Sequence, residues 1–184
     1  EFITDVGHTA TAMTSFTSST LNDIDLLWVT ESYSGANPFA SAMASGGAIN
    51  TWVNDGGTLI FHDRSYPGNE VLPNTGGSNF SNSARQDPDD VTFASGTSLL
   101  TNGPAGVMYN SVSEAISNSG FTLDGGSSST HGRTQISSLP TDAVTTIFDD
   151  DQNTDYATDF WYGYGSGHVY YSHVPLDCYI GGNC

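Results

Sequence analysis

The chain has 184 residues, 36% of them hydrophobic and 11% aromatic, which is enough for one domain with a sizeable core. Twenty acidic residues face three cationic ones, Arg64, Arg85 and Arg133, with no lysine, for a formal net charge of −17. Such a field repels nucleic acid and anionic membranes, and it favours cations, above all calcium with its preference for hard oxygen ligands. It suits equally a solubility surface adapted to a salty medium.

In chain order, "EFITDVG" (1–7) has the pattern of a closing helical turn with Gly7 as its stop, and "HTATAMT" (8–14) alternates like a strand. "LNDIDLLWVT" (21–30) ends in a continuous apolar run, the mark of a strand buried on both faces. "NPFASAMASGGAINTWVNDGG" (37–57) has apolar residues at helical spacing, weakened at Gly46–Gly47, and "TLIFH" (58–62) is the next strand. Strand, helix and strand joined by short turns make a βαβ unit and hence a parallel sheet.

Residues 63–110 are rich in Asn, Gly, Pro and Asp and predict one long loop, of the kind that is functional or tied down by metal. "SVSEAISN" (111–118) predicts a short helix, "GFTLDGG" (120–126) a short strand, and "DAVTTIFD" (142–149) a clearer one. "YATDFWYGYGSGHVYYSHVPLD" (156–177) reads as two aromatic strands around a glycine turn, an antiparallel hairpin. No repeat or linker divides the chain, so residues 1–184 are expected to form a single domain. The abrupt start suggests a module of a longer protein, with flanking domains as neighbours.

The run "DIDLLWVT…INTWVNDGGTLIFHD" (21–63) resembles the trehalose-utilisation-protein-like branch of the class I glutamine amidotransferase-like superfamily, found in large secreted bacterial proteins. "GSGHVYYSHVPLDCYIGG" is similar to the closing strand of such domains. The resemblance implies a flavodoxin-like three-layer α/β sandwich, with a mostly parallel central sheet, a C-terminal antiparallel hairpin and the long loop at 63–110. In a doubly wound sheet a strand normally precedes a helix such as that read at 1–7; either it is missing or another segment fills its slot. The superfamily's nucleophilic Cys has no counterpart, because the first cysteine is Cys178, so amidotransferase chemistry is not expected.

Candidate site residues fall at strand ends. In open α/β sheets, ligands bind beyond the carboxyl ends of the strands. His62, Asp63 and Arg64 follow "TLIF" directly: Arg64 suits a carboxylate, Asp63 a metal, and an Asp–Arg pair that merely pins the loop is the structural alternative. "LDGGSSSTHGRT" brings Ser129, His131 and Arg133 in a stretch without hydrophobic pattern, suited to an anion or sugar hydroxyls, or to an ordinary surface loop. "SHVPLD" adds His173 at the end of the last strand. In "FDDDQNTDYATD", Asp149, Asp151, Asn153 and Asp155 alternate like the start of a calcium loop, but Thr154 and Phe160 replace the Gly and Glu of an EF-hand. Asp87, Asp89 and Asp90 form a second oxygen-rich cluster. Both clusters read equally as solvated acidic turns.

Cys178 and Cys184 flank "YIGGN" and are spaced for a disulfide, which would indicate an oxidising compartment; free thiols or a crosslink to another chain are the alternatives. No serine elbow, zinc helix, phosphate loop or reactive lysine is present. The reading is a calcium-dependent, non-enzymatic binding module of adhesin type, extracellular or at the cell surface. Its ligand would be small and polar, a glycan or a peptide carboxylate. The rivals are a secreted hydrolase of carbohydrate or ester, with His62 or His173 as base beside Asp63, and a structural spacer.

Overall fold

The computed structural model describes residues 7, 9–30, 39–63, 69–73, 80–84, 92–93, 117–118, 121–122, 132–148 and 155–173. These form strands β1 (Leu26–Thr30), β2 (Thr58–His62), β3 (Asn69–Glu70), β4 (Phe80–Ala84), β5 (Thr92–Phe93), β6 (Ser117–Asn118), β7 (Phe121–Thr122), β8 (Gly132–Gln135), β9 (Val144–Phe148), β10 (Tyr156–Tyr164) and β11 (Gly167–Ser172). The helices are α1 (Ser18–Leu21), α2 (Ala40–Met43) and α3 (Ala48–Asn54), with a 3-10 turn at Ile136–Ser138. The protein is mixed α/β.

Nine strands make one sheet in the order β1-β2-β11-β10-β8-β4-β3, with β9 on the other edge of β10 and β5 beyond it. The sheet is mixed rather than mostly parallel. β1 and β11 both run parallel to β2, and the other six pairings are antiparallel. The βαβ unit forms as its pattern predicts, and so does the hairpin of β10 and β11. The neighbour of β2 opposite β1 is the strand farthest along the chain, β11.

The helical segment is two short helices, because the chain turns sharply at Gly46 (φ 78°), and a Cβ at Gly47 would run into the backbone carbonyls of Ser41 and Ala42. Residues 9–14 are not a strand; α1 follows them, with Thr17 capping Thr20. The stretch 63–110 is more than a loop, since it contributes β3, β4 and β5. Residues 117–118 pair as a strand with β7 instead of ending a helix.

Alternation along the strands gives the sheet two unlike faces. Leu27, Val29, Leu59, Phe61, Val169, Tyr171, Phe160 and Tyr162 form the inner face, packed against Leu21, Met43, Ile49 and Val53 of the helices. At Gly167 a Cβ would meet the carbonyls of Val53 and Gly57, so glycine lets the end of α3 lie directly on the hairpin turn. Ser166 N–H donates to the Asn54 carbonyl there, at 2.9 Å. Trp52 Nε1 ties the same helix to the Ile24 carbonyl at 3.2 Å, ahead of β1. The outer face carries Leu26, Trp28, Ile60, His62, His168 and Tyr170 on the three parallel strands, none of them fully buried.

Candidate functional site

Because β1, β2 and β11 are parallel, their carboxyl ends share one rim, and His62, Asp63 and His173 meet there as the strand-end pattern predicts. Neighbouring residues of an extended strand point to opposite faces, however, so the rim holds two separate groups of side chains.

The inner group is closed. Asp63 is 3% exposed and accepts a 2.5 Å hydrogen bond from the Tyr171 hydroxyl. His173 is fully buried, with Nδ1 3.3 Å from the Asp63 carbonyl and Nε2 2.9 Å from Thr134 Oγ1. A carbonyl only accepts, so Nδ1 carries the proton and Nε2 accepts from the threonine hydroxyl. Burial pushes the His173 pKa down to about 3, against the raising effect of the Asp63 carbonyl, so the ring is neutral. The backbone joins in: Asp63 N–H donates to the Ser172 carbonyl at 2.8 Å, and His173 N–H to the Thr158 carbonyl at 3.0 Å.

This knot sits where the sheet changes partners. β11 pairs with β10 along Asp159–Tyr164, and β8 takes over the same edge at Tyr156 and Ala157. His173 bridges the junction through Thr134 of β8. Asp63 and His173 are therefore buried ties between strands.

The outer group is built of rings. The His62 ring lies 5.8 Å from Trp28 and 6.0 Å from Tyr170, bridging β1, β2 and β11 in a row. A second pair, Trp161 on β10 and His168 on β11, stands at 6.2 Å on the same face. At the back of the row, Asp159 accepts from the Tyr170 hydroxyl at 2.5 Å and from Ser172 Oγ at 2.8 Å. Burial raises the Asp159 pKa to about 6, only partly offset by those two donors. Burial likewise raises the Tyr170 phenol well above its ordinary value, helped by the Asp159 charge, so the hydroxyl stays protonated and its direction is fixed. Trp28 Nε1 is buried and has no hydrogen-bond partner among the described residues.

His62, Ser172 and Asp159 are in register on adjacent strands, but the serine stands between the other two. Its hydroxyl donates to the acid directly instead of being drawn by an imidazole, which is not the order of a nucleophile relay.

Arg133 lies in β8 rather than in a surface loop. Its guanidinium carbon is 4.1 Å from the Tyr156 ring centre, and Nε donates to Ser83 Oγ at 3.3 Å. Asp155 is exposed, at the start of β10. Arg64, Asp87, Asp89, Asp90, Ser129, His131, Asp149, Asp151, Asn153, Cys178 and Cys184 lie outside the described residues. Among the described residues no cluster of His, Cys, Asp or Glu could hold a metal ion, and no helix is long and apolar enough to cross a membrane.

Trp28, Trp161, His168, Tyr170, Ser172 and Asp159 are members of the outer group that the strand-end motifs miss. The one signal for them is Asp159 itself, a lone acid inside the aromatic run "YATDFWYGY". Comparison of the chain with protein families, with curated proteins and with solved structures finds no match.

Proposed function

We propose that this is a non-enzymatic, extracellular binding module of adhesin type that recognises a glycan on the outer sheet face and depends on calcium. The observation that carries the reading is the set of five rings, Trp28, His62, Tyr170, Trp161 and His168, spread over four strands from His62 at the common rim back to His168 at the opposite end of β11. Flat rings with a few fixed polar groups suit a ligand that is apolar on its faces and hydroxylated at its edges. A neutral sugar is preferred over a peptide carboxylate, because the net charge of −17 opposes an anion and Arg133 is already engaged over Tyr156. The hydrolase alternative is weaker: His173 is buried and neutral, and Asp63 and His62 face opposite sides of the sheet.

The calcium limb of the proposal rests on Asp149, Asp151, Asn153 and Asp155, the connection between the paired strands β9 and β10, and on Asp87, Asp89 and Asp90. An ion there would neutralise several carboxylates and brace the strand that carries Asp159 and Trp161. A flavodoxin-like sandwich, as the sequence resemblance implies, is the parent architecture we infer. Adding a chelator to calcium-loaded protein is expected to lower the melting temperature by several degrees and to release bound glycan. An unchanged melt with full glycan retention would rule out the calcium limb and leave the ring face standing.

A further inference from the structure

Among the described residues, β1 is an edge strand of the sheet. Thr58 N–H donates to the Asp25 carbonyl, so Asp25, and by alternation Leu27 and Val29, direct their backbone groups toward β2. Leu26, Trp28 and Thr30 therefore direct their N–H and C=O groups the other way, and among the described residues no strand pairs with them. Natural edges are blunted by lysine, proline, a bulge or a charge in the strand. "LLWVT" has none of these, pairs with β2 in unbroken register, and begins with Leu26 at 47% exposure.

We infer that this edge is a docking site for an extended peptide segment of a partner protein, which adds to the sheet as a further strand beside β1. The charge around the edge selects the partner. Asp23 and Asp25 stand exposed just before the strand. The matching segment is apolar or β-branched in its middle and carries Lys or Arg at the end that lies beside them. A second copy of this chain is disfavoured, because each copy bears a net charge of −17 and has no lysine. Backbone pairing supplies the affinity in this mode, and the alternate side chains and terminal charges supply the choice of partner.

The test uses the full chain and two synthetic peptides, Lys-(Val-Thr)₃-Lys and its glutamate-ended counterpart, with amide hydrogen exchange read by NMR. The lysine peptide is expected to slow exchange at Leu26, Trp28 and Thr30 by about tenfold or more, while Leu27 and Val29 change little. The glutamate peptide should leave all five unchanged. Leu26→Pro removes one outward donor at the first residue of an edge strand, where proline is tolerated, and should abolish the protection. Leu26→Ala keeps the donor and should preserve it. Equal binding of both peptides, protection that survives Leu26→Pro, or no protection with the lysine peptide at millimolar concentration would overturn the proposal. So would a self-associated dimer in sedimentation that Leu26→Pro dissociates.

Discussion

On the inner face, His173 is 0% and Asp63 3% exposed, and both bond to groups of neighbouring strands. On the outer face, His62, one residue before Asp63, is half-buried against Trp28 and Tyr170. The side-chain types are similar, but their surroundings are not. The inner imidazole holds three strands together at the point where β8 replaces β11 beside β10. The outer one is part of an aromatic surface. The difference teaches that residues adjacent in a strand do not share a site: "FHD" looks like one cluster in the sequence and is two in space.

The largest expected effect comes from breaking the inner knot. His173→Ala leaves the Thr134 hydroxyl and a cavity in the core, and should cost about 3 kcal/mol of stability. That is a fall in melting temperature of roughly 6–12 °C for a chain of this size. His62→Ala on the outer face should cost less than about 1 kcal/mol, so equal losses from the two variants would erase the distinction.

A sharper comparison uses pH, because the two faces carry buried groups shifted in opposite senses. His173 has a folded pKa of about 3, below the ordinary 6.5, so the unfolded chain binds its proton first. Its contribution is present above pH 6.5 and is lost as pH falls toward 3, by up to about 4–5 kcal/mol. Asp159 is raised from 3.8 to about 6, so the folded state binds its proton first and gains stability as pH falls from 6 to 4, by up to about 3 kcal/mol. His173→Asn keeps an amide donor for the Asp63 carbonyl but cannot be charged. Relative to wild type its stability should therefore rise between pH 6 and 4, while Asp159→Asn should fall over the same interval. Denaturant midpoints at both pH values for the three proteins read these differences directly, and parallel profiles would refute the assignment.

Much of the frame was legible because its signals are local. The apolar run of β1, the Gly-Gly turn before β2 and the Gly-Ser-Gly turn between β10 and β11 each specify their element from a few neighbouring residues. β4 "FSNSA" and β8 "GRTQ" were not legible, being too polar for a strand pattern. They become strands through pairing with each other and with β10, and Thr134 is buried because His173 takes its hydroxyl. The short strands within 63–110, read as mostly loop, were missed for the same reason. In the site, His62 was found by its position after a strand, but Trp28 and Tyr170 join it only through the parallel register of β1, β2 and β11, and Asp159 through the antiparallel pairing of β10 with β11. No spacing along the chain encodes that register.

The central claim is that the ring face, and not the rim as a whole, holds the ligand. The most direct measurement is retention on a glycan array, in calcium, of wild type, the double variant His62→Ala/Trp161→Ala, and Asp63→Asn. The account predicts saturable retention of at least one glycan by wild type and by the fraction of Asp63→Asn that folds, with a loss of about tenfold or more in the double variant. Retention unchanged in the double variant, or no retained glycan for wild type, would contradict it.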